Sequence, residues 1–408
     1  MSGNEAETQG PYREPPMSTT DRATLPFLDT SAADFLDRPH VTFDRLREHS
    51  VVADATGVSL LDYATCDAAF HDTALVPGID WLLEDLGHGP LWGTFDHTLT
   101  DAEGATHQRL RRAVSPWFTA RRIDGLRERT RQLVEGLLAS ADGLEVMGDL
   151  ADRVPSSLFC WMVGADPADA ELLARWSKSL LLVFTAQASM VEPVKAAKAE
   201  LLEYTHALLA RKRDDPQDDL ATALAAAADN GVIDIVDAEC LLEELLSASV
   251  DNTANTIGTA LHALATHPGE WARLHADPAL LANAIEECGR FEPAIRHTIK
   301  YATSDTELLG RPVERGTYVT IRIASAHRDP AVYDDPHHFD ITRRLAKPQL
   351  AFGAGRHYCL GASLGKMELQ ETVGGVVSRW SAAAVGDGAI MNIAASGHVA
   401  HLPLELTR

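Results

Sequence analysis

The chain has 408 residues, 45% of them hydrophobic, enough to bury a large core. Its 36 basic and 59 acidic side chains leave a formal charge of −23, which disfavours nucleic acid and anionic membrane as partners because both are repelled. The five cysteines (Cys66, Cys160, Cys240, Cys288, Cys359) are odd in number and contain no CxxC pair, which argues against a disulfide framework and a structural zinc site.

Taken from its start, the sequence predicts a loose polar arm over 1–22 and one large domain over 23–408. The arm carries Pro11, Pro15 and Pro16 among Glu, Thr, Ser and Gly; with no apolar run of signal-peptide or anchor type, a soluble, cytoplasmic protein is expected. Alternating β-branched residues predict strand around Val51 to Leu61. Ala-, Leu- and Glu-rich amphipathic runs predict helices over Ala170–Thr185, Val194–Arg213, Val236–Thr266 and Pro278–Arg290. Further strands are expected over Thr317–Ile323 and Val399–Leu406. Helices and strands do not alternate as βαβ units, so a mainly α fold with small sheets follows.

One cysteine sits in a segment of unusual grammar, Phe352-Gly353-Ala354-Gly355-Arg356-His357-Tyr358-Cys359-Leu360-Gly361, ahead of a helical Ala362 to Glu368. The glycines at 353 and 355 suggest a tight loop, and Gly361 keeps the neighbourhood of the sulfur free of a side chain. The following helix would turn its positive end toward Cys359, and Arg356 would add charge, so the thiolate is favoured over the thiol. Any other loop cysteine reads more simply as a small buried hydrophobe.

This string resembles the haem-binding loop of the cytochrome P450 family, Phe-Gly-x-Gly-x-His-x-Cys-x-Gly, at every fixed position. The resemblance implies a single-domain P450 fold, haem b held by Cys359 as the iron ligand, Phe352 over the sulfur, Gly361 beside it and His357 on a haem propionate. Thiolate donation favours cleavage of the O–O bond. The family's Glu-x-x-Arg pair falls at Glu287 and Arg290, three residues apart on one helical face, and its third member at Arg343; the trio is expected to lock the scaffold. His107 and Arg111, four apart, resemble the family's His-x-x-x-Arg element facing the propionates. Lys300 stands where the family usually places Arg, keeping the charge but losing the bidentate fork.

In the long predicted helix, Ala248-Ser249-Val250-Asp251-Asn252-Thr253 stands where family members commonly read Ala-Gly-x-(Asp/Glu)-Thr-Thr. Asp251 fills the acid position, while Asn252 replaces the first Thr. An acid beside an alcohol holds water and relays protons; Asn hydrogen-bonds but carries no ready proton. Two readings stay open: Asn252, with Thr253, orders a relay water for ordinary hydroxylation, or the substrate assists, as in branches that form ring or aryl bonds. By the family's layout the pocket would be lined by the loop from Trp81 to Trp92, by Phe184 and Met190, by Ser247 and Val250, by Ala294 and Ile295, and by Ala395 and Ser396. These residues suit a mid-sized, largely apolar molecule.

The resemblance thus implies a monooxygenase that takes dioxygen and two electrons from a ferredoxin and its reductase, in a setting of secondary metabolism. Arg109, Arg112, Arg344, Arg356 and Lys366 are expected to cluster as the ferredoxin surface. A haem-binding sensor without turnover is the alternative from another class; the retained acid at 251 weighs against it.

Overall fold

The computed structural model describes residues 24–89, 97–139, 143–185, 187–392 and 397–408. The expected arm, Trp92, Ala395 and Ser396 lie outside the described residues. The helices that build the site are α1 (Gly104–Val114), α2 (Ala120–Ala139), α3 (Arg153–Val163), α4 (Ala170–Leu181), α5 (Val191–Asp214), α6 (Ile235–Ala265), α7 (Leu281–Phe291) and α8 (Ala362–Arg379). Among the described residues no helix is long and apolar enough to cross a membrane.

The central element is α6, 31 residues long. It begins at a capping box, where Asp234 and Asp237 each accept from the other's backbone amide. Its first half packs with α3, α4 and α5 around Leu173, Leu201, Leu242 and Leu246, and its second half with α2, α7 and α8 around Val134, Ile257, Leu261 and Val373. Two cores therefore meet on one helix, and its buried length follows from the Ala- and Leu-rich run. Gly258 is where this helix has no room for a side chain: a Cβ would lie 2.8 Å from Met147 Sδ and 3.2 Å from Val399.

The strands β1 (Val51–Ala53), β2 (Val58–Leu60), β3 (Leu75–Pro77), β4 (Thr298–Ala302) and β5 (Tyr318–Ile321) form a sheet in the order β1-β2-β5-β4-β3. Its β2–β5 pair is parallel and the others are antiparallel. The expected strand at 51–61 is thus a hairpin, and the expected strand at 399–406 divides into His398–His401 and Pro403–Thr407. The sheet matters to the site because β4 carries Lys300.

Glu287 and Arg290 on α7 are fully buried. Arg290 grips Glu287 through Nε and Nη2, both at 2.7 Å, and donates to the carbonyls of His327, Pro336 and His338. Arg343 adds a 3.2 Å contact to Glu287 and donates to Asp334, Asp335 and His338. These ions tie α7 to the 327–343 segment, and because each charge is paired and hydrogen-bonded the burial is tolerated.

Candidate active site

A cavity of about 390 Å³ is lined by Cys359, Leu360 and Gly361, by Phe352 and His357, by Arg111 and Lys300, and by one face of α6. The cysteine loop is shaped as its glycines require. Gly353 and Gly355 both have φ +67°, and a Cβ on Gly355 would lie 2.5 Å from the Phe70 carbonyl. A Cβ on Gly361 would come within 3.9 Å of the Cys359 sulfur.

Burial pushes the Cys359 thiol up, while the amides of Gly361 and Ala362 at the start of α8, and the charge of Arg111, pull it down. The net direction is upward, so the helix end alone does not deliver a thiolate; binding a cation at the sulfur would. The helping charge is Arg111, not Arg356 as the sequence suggested. Arg356 is committed to a two-point pair with Glu103 at 2.6 and 3.0 Å and to the carbonyls of Asp72 and Leu75.

The basic residues gather at one end. Arg111 donates to the Tyr358 carbonyl at 2.8 Å. Lys300 is buried, with no carboxylate in hydrogen-bond contact among the described residues, and burial pushes it down to about 8. His107 is buried beside His357, ring centres 4.6 Å apart, and its Nε2 has no hydrogen-bond partner among the described residues. A buried ammonium and a thiol lining one cavity, with an orphaned imidazole nitrogen just behind His357 in its wall, fit a haem with anionic propionates. His357 differs from its expected part: its Nδ1 lies 3.2 Å from the Leu99 carbonyl and its Nε2 3.0 Å from Glu103. Its partner in the structure is thus a protein carboxylate: against the upward push of burial, His357 and Arg356 hold Glu103 down at about 2, so it is ionised.

The α6 wall consists of Glu244, Leu245, Ala248, Ser249, Asn252, Thr253, Thr256, Thr259 and Ala260. These positions recur every three or four residues, one helical face. Asn252 donates to the Ala248 carbonyl at 3.1 Å, and Thr256 donates to the Asn252 carbonyl at 2.7 Å. Asp251 is turned out of this wall by the same periodicity. Its carboxylate accepts from Asn255 at 2.8 Å, and its amide donates to Ser177. Burial raises its pKa, opposed by His398 and Lys178 and reinforced by Asp152.

Several expected pocket residues are corrected. Ser247 and Val250 lie off the cavity face of α6: Ser247 is bonded to the Glu244 and Ser177 side, and Val250 packs in the core with α4 and α5. Trp81 stacks on Tyr301 at 4.6 Å with rings 6° from parallel, and Phe184 is 58% exposed. Ala294 and Ile295 do line the cavity. The wall residues the sequence reading missed include Leu99, Thr100, Phe159, Glu244 and Glu368. Glu244 had a readable signal, since it shares a helical face with Asn252.

The expected ferredoxin surface is also smaller. Arg109 pairs with buried Asp237, Arg356 with Glu103, and Lys366 with Glu286 at 2.6 Å. Arg112 and Arg344 are exposed and make no ion pair among the described residues.

Residues 171–402 match the Cytochrome P450 family model. The chain is 30% identical over 377 residues to the luteothin monooxygenase of Streptomyces thioluteus, covering 89% of this chain and 92% of that protein. It is 31% identical to the cytochrome P450 monooxygenase PikC of Streptomyces venezuelae, covering 88% of each. In structure it is similar to CalO2, with a TM-score of 0.86, 27% identity, and 93% and 98% of the two chains covered.

Proposed function

Because the chain belongs to the cytochrome P450 family and is a haem-iron monooxygenase, we propose that it hydroxylates a mid-sized, largely apolar small molecule, using dioxygen and two electrons from a ferredoxin. The observation that carries this reading is the cavity in which Cys359 faces the Asn252 and Thr253 stretch of α6 across mostly apolar walls. A place in secondary metabolism is supported by the streptomycete relatives.

Haem b would be held by Cys359 on iron, with Phe352 and Gly361 flanking the sulfur and His107, Arg111 and Lys300 receiving the propionates. When bound, it supplies the reduction of dioxygen and the insertion of an oxygen atom. The chain's own residues do the rest. Leu245, Ala248, Ala294 and Ile295 exclude water from an apolar substrate, and Asn252 and Thr253 orient water along α6. Asp251 lies behind that wall, accepting from Asn255, with burial pushing its pKa upward. Glu287, Arg290 and Arg343 fix the scaffold beneath.

The test of the centre is Cys359→Ser, which removes the thiolate donor: the strongly red-shifted absorbance of the ferrous–CO complex should vanish. Retention of that band would overturn the ligand assignment. The test of the reaction is oxygenated product formed with a surrogate ferredoxin and reductase. Ring-forming or aryl-coupling chemistry is a second reading, favoured by one observation: the amide of Asn252 where an alcohol is usual.

A further inference from the structure

We propose that Glu244 is a specificity-determining residue that recognises a cationic amine on an otherwise apolar substrate. This rests on the cavity above Cys359 being the substrate chamber. Glu244 lies on α6 eight residues before Asn252, two helical turns along the same face, and lines the same cavity. It is buried, and its carboxylate is held by the chain rather than by solvent. Leu99 N donates to Oε2 at 2.6 Å, Thr100 N to Oε1 at 2.7 Å, and Thr100 Oγ1 to Oε1 at 2.5 Å.

Three donors fix the group in place, and an ionised carboxyl accepts about four hydrogen bonds, so one acceptor direction is left for a ligand. Among the described residues no Lys, Arg or His pairs with Glu244 as a counter-ion. The nearest cations of the first half of α6 are spoken for: His97 and Arg109 pair with Asp237, and Lys198 pairs with Glu243. Asp101, on the loop that packs over Glu244, adds further negative charge. Arg111, His357 and Lys300 line the cavity, but they belong with the Cys359 loop and β4, and His357 is taken by Glu103. A buried carboxylate without a cation is costly, and a protonated amine entering the cavity would offset that cost. Around Glu244 the wall is Leu99, Leu245 and Ala248 with the hydroxyls of Thr100 and Ser249, so the remainder of the substrate meets apolar surface. Burial raises Glu244 to about 7, so cation binding should strengthen as pH rises through that value.

The experiment uses the haem-loaded protein and three probes of one chain length: N,N-dimethyldecylamine, which is protonated and carries one N–H donor at both pH values used, decan-1-ol and decanoate. Binding is read from the shift in haem absorbance, at pH 6 and pH 8.5. The expected result is a preference for the cation over the alcohol of about tenfold or more at pH 8.5, the factor given by one pKa unit of interaction. The preference should shrink at pH 6 and be lost in Glu244→Gln. Equal affinity for cation and alcohol across the pH range, tighter binding of decanoate, or a cation preference that survives in Glu244→Gln would each overturn the proposal. The wild-type pH series stands without the variant, should the substitution loosen the Leu99–Thr100 segment. The ferrous–CO band and product formation from whichever probe binds report on the thiolate and the oxidation separately, so a failed cation preference leaves the reading of the reaction standing.

Discussion

Asn252 and Glu368 show how single side chains in this cavity can be tested. If Asn252 orders water, Asn252→Ala should preserve haem and substrate binding while diverting reduced oxygen to peroxide, and Asn252→Thr should retain or improve coupling, since a hydroxyl both donates and accepts a proton. Product formed per reductant consumed, measured with peroxide yield, decides this; unchanged coupling in the Ala variant would instead favour substrate assistance. Glu368 on α8 is buried in the cavity wall with no hydrogen-bond partner among the described residues, and burial alone lifts it from 4.5 to about 8. Its folded-state pKa lies above the unfolded one, so it favours the folded state least once ionised. Stability should therefore fall as pH rises from about 4.5 to about 8, by at most about 1.4 kcal/mol per pH unit. Glu368→Gln should remove that slope, and melting of both proteins at pH 5, 7 and 9 measures it.

Helices explain which parts of the site the sequence made readable. The cysteine loop was legible because ligand, glycines and following helix are contiguous, so their spacing is their geometry. The α6 wall was only half legible. Asn252 and Thr253 face the cavity, but Ser247 and Val250 were placed there by the family's layout and Asp251 by its position in the motif, whereas a helix turning about 100° per residue carries all three off the cavity face. Reading the 3.6 period outward from Asn252 reaches Ala248, Glu244, Thr256 and Thr259. The capture of His357 by Glu103 was not legible, since the two are 254 residues apart and no local pattern reports the contact. The Glu287–Arg290–Arg343 trio was placed from its order in the chain, and the consequence for α7 can be measured. Arg290→Met leaves Glu287 buried with Arg343 as its remaining charged partner and the Asp340 amide as a donor, which should cost about 3–5 kcal/mol. Denaturant unfolding checks the figure, and Glu287→Gln with Arg290→Met together should recover part of the loss because no unpaired charge is left behind.

At the scale of the whole molecule, the charge of −23 and the local cations act on an acidic ferredoxin in opposite senses. On the proposed donor the long-range field would be repulsive, while exposed Arg112 at the end of α1 and exposed Arg344 would attract it at short range. Range decides which prevails. The screening length is about 30 Å at 0.01 M salt, comparable with a domain, and about 10 Å at 0.1 M, comparable with a patch. At the lowest salt the net charge should therefore slow association, and the first additions of salt should speed it by screening distant carboxylates. Further salt should then screen the two arginines themselves and slow association again. The rate of reduction by ferredoxin, followed by stopped flow from 0.01 to 0.5 M salt, should pass through a maximum. Arg112→Glu with Arg344→Glu should lower that maximum severalfold and leave substrate-induced haem shifts unchanged, because neither side chain lines the cavity. A rate that climbs with salt throughout and is indifferent to both substitutions would show that these two arginines do not dock the donor, and that net repulsion alone governs the encounter.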